Sequence, residues 1–195
     1  MTTGSETLRT FIALPLPDEW IGQLGETIAD LSRALPHGVR WVSPDGIHLT
    51  LKFLGATDSR MVPRILDAIT ENFADSSPPL LSLSVLGTFP AGRNPRVIWA
   101  GVSGGAESLE DLHRRAEQTV CGLGWSTDGR PFRPHLTLGR VRDRVNARQR
   151  QAISDAVAGV RLPATRGWRP DTVRLYRSVL TPRGARYFNL GEVKI

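Results

Sequence analysis

The tetrapeptide His-Leu-Thr-Leu occurs twice, at His48-Leu49-Thr50-Leu51 and at His135-Leu136-Thr137-Leu138, and no other feature constrains the fold as tightly. On an extended strand neighbouring side chains point to opposite faces, so each copy presents His and Thr on one side and two leucines on the other. That predicts a strand with a buried back and a polar front. A single copy would read as an ordinary half-exposed strand. The chain has only four histidines, however, and the leucines alone would satisfy a core. The repeat therefore reads as two strands that turn their histidines toward each other across a shared site.

The rest of the chain supplies elements around these two strands. Leu8 to Leu14 is an apolar run ended by Pro15 and Pro17, and Asp18 is placed to cap a helix whose apolar residues Trp20, Ile21, Leu24, Ile28, Leu31 and Leu35 recur at helical spacing. Arg40 to Val42 is a brief strand before the turn Pro44-Asp45-Gly46. The first motif strand runs from Ile47 to Leu54 and closes at Gly55. Asp58 or Ser59 caps a helix reaching Phe73, Ser76 to Pro79 is a loop, and Leu81, Leu83 and Val85 alternate with serines on a strand with one buried side. After a turn-rich middle come a strand over Val97 to Val102, a helix through Leu109, Leu112, Ala116 and Val120, the second motif strand over Pro134 to Arg140, and a helix over Asn146 to Val160. Strands over Asp171 to Leu180 and Ala185 to Val193, joined at Pro182-Arg183-Gly184, close the chain. His37 and His113 read as surface residues, and Cys121 as a packed thiol on its helix.

Strand, helix, motif strand, helix, strand is thus repeated. The offsets agree: Leu8 to Val97 is 89 residues (97 minus 8) and His48 to His135 is 87 (135 minus 48). Pseudo-repeats over about 8–88 and 96–180, followed by a C-terminal hairpin over 171–193, predict a single bilobal unit spanning 1–195 with the motif strands facing across a central cleft.

Composition narrows the function classes. The 40% hydrophobic content is that of a globular protein, the start of the chain lacks the basic and apolar regions of a secretory signal, and no apolar segment approaches a membrane span. A cytoplasmic, monomeric protein without a membrane partner is expected. One cysteine makes no internal disulfide, and no Cys/His cluster, HExxH or Asp-rich motif points to a metal, so none is expected and no cofactor either. The formal charge is +6, and of the 25 basic residues only Lys52 and Lys194 are lysine. Arginine's planar fork matches phosphate, which is compatible with a nucleic-acid partner, although codon bias alone produces the same excess.

Two imidazoles on opposite sides of one ligand suit concerted acid and base catalysis, because histidine titrates near neutrality. A threonine hydroxyl two residues along the same face can donate to a non-bridging phosphate oxygen while each imidazole addresses an axial one. The ligand implied is a phosphodiester. Lys52 and Arg133 share the parity of the histidines. Arg140, five residues past the second His, has the opposite parity and reaches the front only if the strand ends or twists at Gly139. Phe53, Phe132 and Trp41 are candidate stacking partners for a base, with Phe53 at core parity.

The paired motifs, set in Arg40-Trp41-Val42-Ser43-Pro44 through His48-Leu49-Thr50-Leu51-Lys52-Phe53-Leu54-Gly55 and in Arg133-Pro134-His135-Leu136-Thr137-Leu138-Gly139-Arg140, resemble the HxTx motifs of the 2H phosphoesterase superfamily. Within it the chain is similar to the RNA 2′,3′-cyclic phosphodiesterases, also known as 2′-5′ RNA ligases, and Tyr176 to Leu180 with Gly184 to Tyr187 resemble that family's ending. The resemblance implies an α+β bilobal duplicated fold of two antiparallel sheets with helices on the outer faces. It implies metal-independent hydrolysis of an RNA 2′,3′-cyclic phosphate, or a cyclic nucleotide, to a 2′-phosphomonoester. His135 would be the proton acceptor that activates water and His48 the donor to the departing oxygen. Thr50, Thr137 and Arg140 would bind phosphate, with Arg133, Lys52, Phe132 and Trp41 as candidate RNA contacts. Two other readings remain open on the residues: a superfamily enzyme acting on 2′-5′-linked oligonucleotides or running the reverse ligation, and a non-catalytic module that binds RNA ends.

Overall fold

The computed structural model describes residues 6–182 and 184–195; Arg183 of the expected final turn, and the first five residues of the polar start, lie outside the described residues. Strand β1 (Thr7–Pro15) leads into α1 (Asp18–Ala34), β2 (Val39–Trp41), β3 (His48–Asp58), α2 (Val62–Phe73) and β4 (Ser82–Phe89). The second half runs β5 (Val97–Ser103), α3 (Ala106–Cys121), β6 (His135–Val141), α4 (Ala147–Gly159), β7 (Thr172–Thr181) and β8 (Gly184–Lys194).

The apolar periodicity decides the helices. In α1 the residues Trp20, Leu24, Ile28 and Leu31 are buried, one per turn along a single face. Each such side chain contributes roughly 1.5–3 kcal/mol by leaving water. Asp18 does not cap this helix: the N-cap is Pro17, in extended conformation, with no side-chain hydrogen bond, and Asp18 is the first helical residue. Asp58 does cap, accepting from the Arg60 N–H at the short 3-10 turn Ser59–Met61 that opens α2. At α4, Asn146 and Gln149 form a reciprocal capping box.

All strand pairs are antiparallel, and the sheet order is β4-β5-β6-β3-β1-β7-β8, with β2 also on β6. Instead of the two separate sheets expected, hydrogen bonding runs through both halves. The two motif strands themselves meet at one pair, Leu49 with Leu136. Both motif strands send their leucines into one core, where Leu49, Leu51, Leu136 and Leu138 are all buried, and this brings the strands into contact before they diverge. The third strand of each half crosses over: β4 pairs with β5, and β7 with β1. The order β4-β5-β6-β3-β1-β7 therefore reads the same from either end when β1 is matched with β5, β3 with β6 and β4 with β7.

Two surface expectations fail for local reasons. A register shift between Leu83 and Leu86 breaks the alternation of β4, and Val85 emerges 65% exposed where a buried residue was expected. Cys121, the last residue of α3, is exposed. Strand β3 also continues beyond Gly55, which takes φ +72° without ending the pairing to β1. Among the described residues no helix is long and apolar enough to cross a membrane.

Candidate active site

Each motif strand carries a bulge at its second leucine. Along β3, Ala13 pairs with Thr50 and Ile12 with Lys52, so Leu51 has no partner on β1. Along β6, Trp99 pairs with Thr137 and Ile98 with Gly139, so Leu138 has none on β5. An extra residue reverses the parity of everything after it. The carbonyls released from the ladders are still satisfied, as buried backbone groups must be. Leu51 O accepts from His113 Nδ1 at 2.8 Å, and Leu138 O from the Val42 N–H at 2.9 Å.

These bulges decide which side chains share the front with the histidines. Arg140 lines the front although β6 continues past Gly139 to Val141, because the bulge at Leu138 has already reversed the parity, and Phe53 takes the equivalent place on β3. Phe53 is 56% exposed rather than packed, because the parity that assigned it to the core is inverted by Leu51. The same inversion sends Lys52 inward, against the expectation of a rim charge. Lys52 is 2% exposed and holds Glu117 at 2.8 Å, Asp128 at 3.3 Å and the Ser126 carbonyl at 3.1 Å. It therefore anchors the loop before β6 from below and has no open path to RNA.

A cleft of about 350 Å³ is lined by His48, Thr50, His135, Thr137 and Arg140, with Arg9, Phe11, Phe53, Phe89, Ser178 and Tyr187 among the residues of its walls. Among the described residues no carboxylate lines it. The two imidazoles are oriented alike: His48 Nδ1 meets the Gly46 carbonyl at 2.8 Å and His135 Nδ1 meets the Arg133 carbonyl at 2.7 Å. A carbonyl only accepts, so each Nδ1 carries the proton and donates it. Each Nε2 is left for the cleft.

The surroundings of the two rings differ. His48 stacks on Phe11 with 4.6 Å between centroids and meets Tyr187 edge-on at 4.8 Å, whereas His135 has the edge of Phe89 at 5.1 Å. Burial lowers the His48 imidazole from 6.5 to about 4, against the raising effect of the Gly46 carbonyl, and the neighbouring charge of His135 lowers it further. Burial likewise pushes the Tyr187 phenol up, while the positive charges of Arg140 and Arg9 pull it back.

The remaining candidates lie in two side cavities. Phe132 and Arg133 line one that opens off the cleft at Thr50, Phe53, Phe89 and His135. There Phe132 lies flat on His113, 4.1 Å between ring centroids and 5° between planes, so His113 is a half-buried link between Leu51 and the loop before β6, not a free surface residue. Trp41 lines the other cavity, beyond Arg140. Arg9, Tyr187 and Ser178 were not legible as site residues, because β1, β7 and β8 reach the cleft only through long-range pairing. Among the described residues no group of three or more His, Cys, Asp or Glu side chains converges as a metal site would require.

A family model described as the 2′-5′ RNA ligase superfamily matches residues 22–181. The chain belongs to this superfamily, the 2H phosphoesterases. Among relatives in the 2′-5′ RNA ligase superfamily, the RNA 2′,3′-cyclic phosphodiesterase of Methanothermobacter thermautotrophicus is 30% identical over 183 residues, which are 94% of this chain and 96% of that one. The protein of the same description from Archaeoglobus fulgidus is also 30% identical, over 94% and 98% of the two chains. Among solved structures, TT0787 of Thermus thermophilus superposes with a TM-score of 0.72 at 28% identity, covering 96% of this chain and 97% of that one. E. coli LigT complexed with 3′-AMP shares the fold with a TM-score of 0.69 at 24% identity, covering 97% and 99%.

Proposed function

We propose that this chain hydrolyses RNA 2′,3′-cyclic phosphate ends, and nucleoside 2′,3′-cyclic phosphates, to 2′-phosphomonoesters. The observation that carries the reading is the mirrored pair of Nδ1–H···O=C bonds, which leaves two imidazole Nε2 atoms for one cleft free of carboxylates among the described residues and lined by Arg9 and Arg140. Relatives described as RNA 2′,3′-cyclic phosphodiesterases, two of them 30% identical over 94% of the chain, support it.

In the proposed step His135 Nε2 takes a proton from water as the water oxygen bonds to phosphorus. The P–O3′ bond breaks, and His48 Nε2 gives its proton to the departing O3′. Solvent then returns one proton to His48 and removes one from His135. Thr50 and Thr137 hydroxyls donate to the non-bridging oxygens, and Arg140 offsets the charge that gathers there. His48 is mostly neutral at pH 7 in the free protein, so the donor role requires the phosphate anion to bring its proton in with it. Proton uptake accompanies binding on this reading.

The free-protein ionisation of His48 favours a second reading with the roles exchanged. A cyclic substrate carrying sulfur in place of O3′ separates the two, because a thiolate leaves without an acid. With His48 as donor, His48→Ala regains most of its lost rate on the sulfur substrate and His135→Ala does not; the reverse pattern exchanges the roles.

We further propose that the protein acts as a cytoplasmic monomer and that residues 8–88 and 96–180 are pseudo-repeats, a reading supported by the palindromic strand order. The test of the function is incubation with a 2′,3′-cyclic mononucleotide and with an RNA ending in one, with and without chelator, across pH. A bell-shaped, chelator-insensitive rate and a phosphate retained on the 2′ oxygen are expected. A rate abolished by chelator, or no turnover of either substrate, overturns it.

A further inference from the structure

Beyond Arg140 the cleft continues into a second cavity of about 670 Å³, whose charged lining residues among the described residues are Arg40, Arg140 and Arg186. Arg40 and Arg140 are direct cross-strand partners on β2 and β6, so their side chains leave the sheet on the same face. Like charges placed opposite each other on paired strands repel and destabilise the pairing. Arg186 comes from β8 on the far wall, its guanidinium 5.6 Å from the centre of the Phe188 ring. None of the three makes an ion pair among the described residues, whereas Arg33, Arg60, Arg115 and Arg174 each hold a carboxylate. Among the described residues no Asp or Glu lines this cavity or the catalytic cleft.

An arrangement in which two arginines are forced together without a counterion is stabilised when an anion sits between them. Guanidinium forks match phosphate oxygens in particular. Arg140 belongs to both cavities, as do Val42, Leu180, Ala185 and Tyr187, so a ligand phosphate in the cleft and another in the second cavity would share that side chain. One nucleotide offers two such groups: a phosphate on the ribose 2′,3′ edge for the cleft, and a phosphate on the 5′ side of the same nucleoside for the second cavity.

We propose that the Arg40–Arg140–Arg186 cavity is a second phosphate subsite, which takes the phosphodiester on the 5′ side of the terminal nucleotide and makes the protein discriminate in favour of RNA ends over cyclic mononucleotides. This rests on the cyclic-phosphate reading of the cleft. Arg40 and Arg186 are exposed and touch no part of the histidine machinery, so Arg40→Gln/Arg186→Gln tests the subsite without removing the core of the fold.

Binding is measured first, by calorimetry with adenosine 2′-monophosphate and adenosine 2′,5′-bisphosphate. Two exposed charge contacts predict about tenfold tighter binding of the bisphosphate to the unaltered protein, shrinking as salt is raised. The Arg40→Gln/Arg186→Gln variant should bind both ligands to within about twofold of each other on the same reasoning. In turnover, the ratio of kcat/KM for a dinucleotide ending in a cyclic phosphate to that for the cyclic mononucleotide should fall toward one in the variant. Equal binding of the two ligands by the unaltered protein, or a preference that survives in the variant, overturns the subsite. A protein that prefers the bisphosphate yet hydrolyses neither substrate overturns the hydrolase reading and leaves the subsite standing.

Discussion

Replacing His48 by Gln should make the protein relatively more stable as the pH falls. The folded state holds this imidazole at about 4, below its ordinary 6.5, chiefly because burial penalises the charged ring. Between those two values the unfolded chain binds the proton and the folded chain does not, so stability rises with pH across the window. The contribution is fully present above pH 6.5 and is lost as the pH falls through 6.5 toward 4. At about 1.4 kcal/mol per tenfold, the displacement corresponds to about 3 kcal/mol of stability lost by the unaltered protein and not by His48→Gln. Urea unfolding of both proteins between pH 8 and pH 4 measures it, with the difference between them moving by about 3 kcal/mol in favour of the variant over that range. The comparison cancels the carboxylates and the two histidines outside the cleft, His37 and His113, which both proteins share. Parallel stability curves would refute the burial argument. With them would go the claim that the His48 proton arrives with the phosphate.

The remaining expectations follow from the bulges and the buried charge. Lys52→Met should cost about 3–5 kcal/mol in urea unfolding, since it strands Glu117 beneath the loop before β6, and Lys52→Met/Glu117→Leu should recover most of that loss. Phe53→Ala should change stability by less than about 1 kcal/mol, because over half of the ring is in solvent, while raising KM for RNA ends more than it lowers kcat. Gly139→Ala should destabilise by about 1–3 kcal/mol, because the added methyl would lie 2.8 Å from Val39 Cγ1 and 2.9 Å from the Trp41 ring. It should also lower kcat by pushing β2 away from Arg140, and a variant with unchanged kcat and stability would show that β2 yields freely.

The elements themselves were legible because they rest on local chemistry. The buried face of α1, the cap at Asp58, the helix that starts after Asn146 and the proline-bounded end of β1 all follow from residues within a few positions of each other. The histidine pair was legible for a different reason: an identical motif repeated 87 residues on (135 minus 48) states a long-range relation in a form that can be read directly. The walls of the cleft were not legible. Arg9, Ser178 and Tyr187 arrive on strands whose neighbours are chosen by the exchange of β4 and β7 between the halves, and no periodicity within those segments records that exchange.

The misplacement of Lys52 and Phe53 has the more instructive cause. Strict alternation assigns Lys52 to the front, and the assignment fails because Leu51 is inserted without a partner on β1, as Leu138 is without one on β5. Nothing in His-Leu-Thr-Leu announces the bulge, since every residue in it is compatible with a regular strand. The bulge is favoured by what lies behind the sheet: both leucines of each motif enter the core, and the freed carbonyls are met by His113 and by the Val42 N–H. Its effect is the same in both halves. The fifth residue after each histidine comes to the front, an aromatic ring from β3 and a guanidinium from β6. Identical motifs thus build an asymmetric cleft, with an exposed aromatic ring on one wall and a guanidinium on the other, and the symmetry of the two histidines is broken by residues outside the repeat.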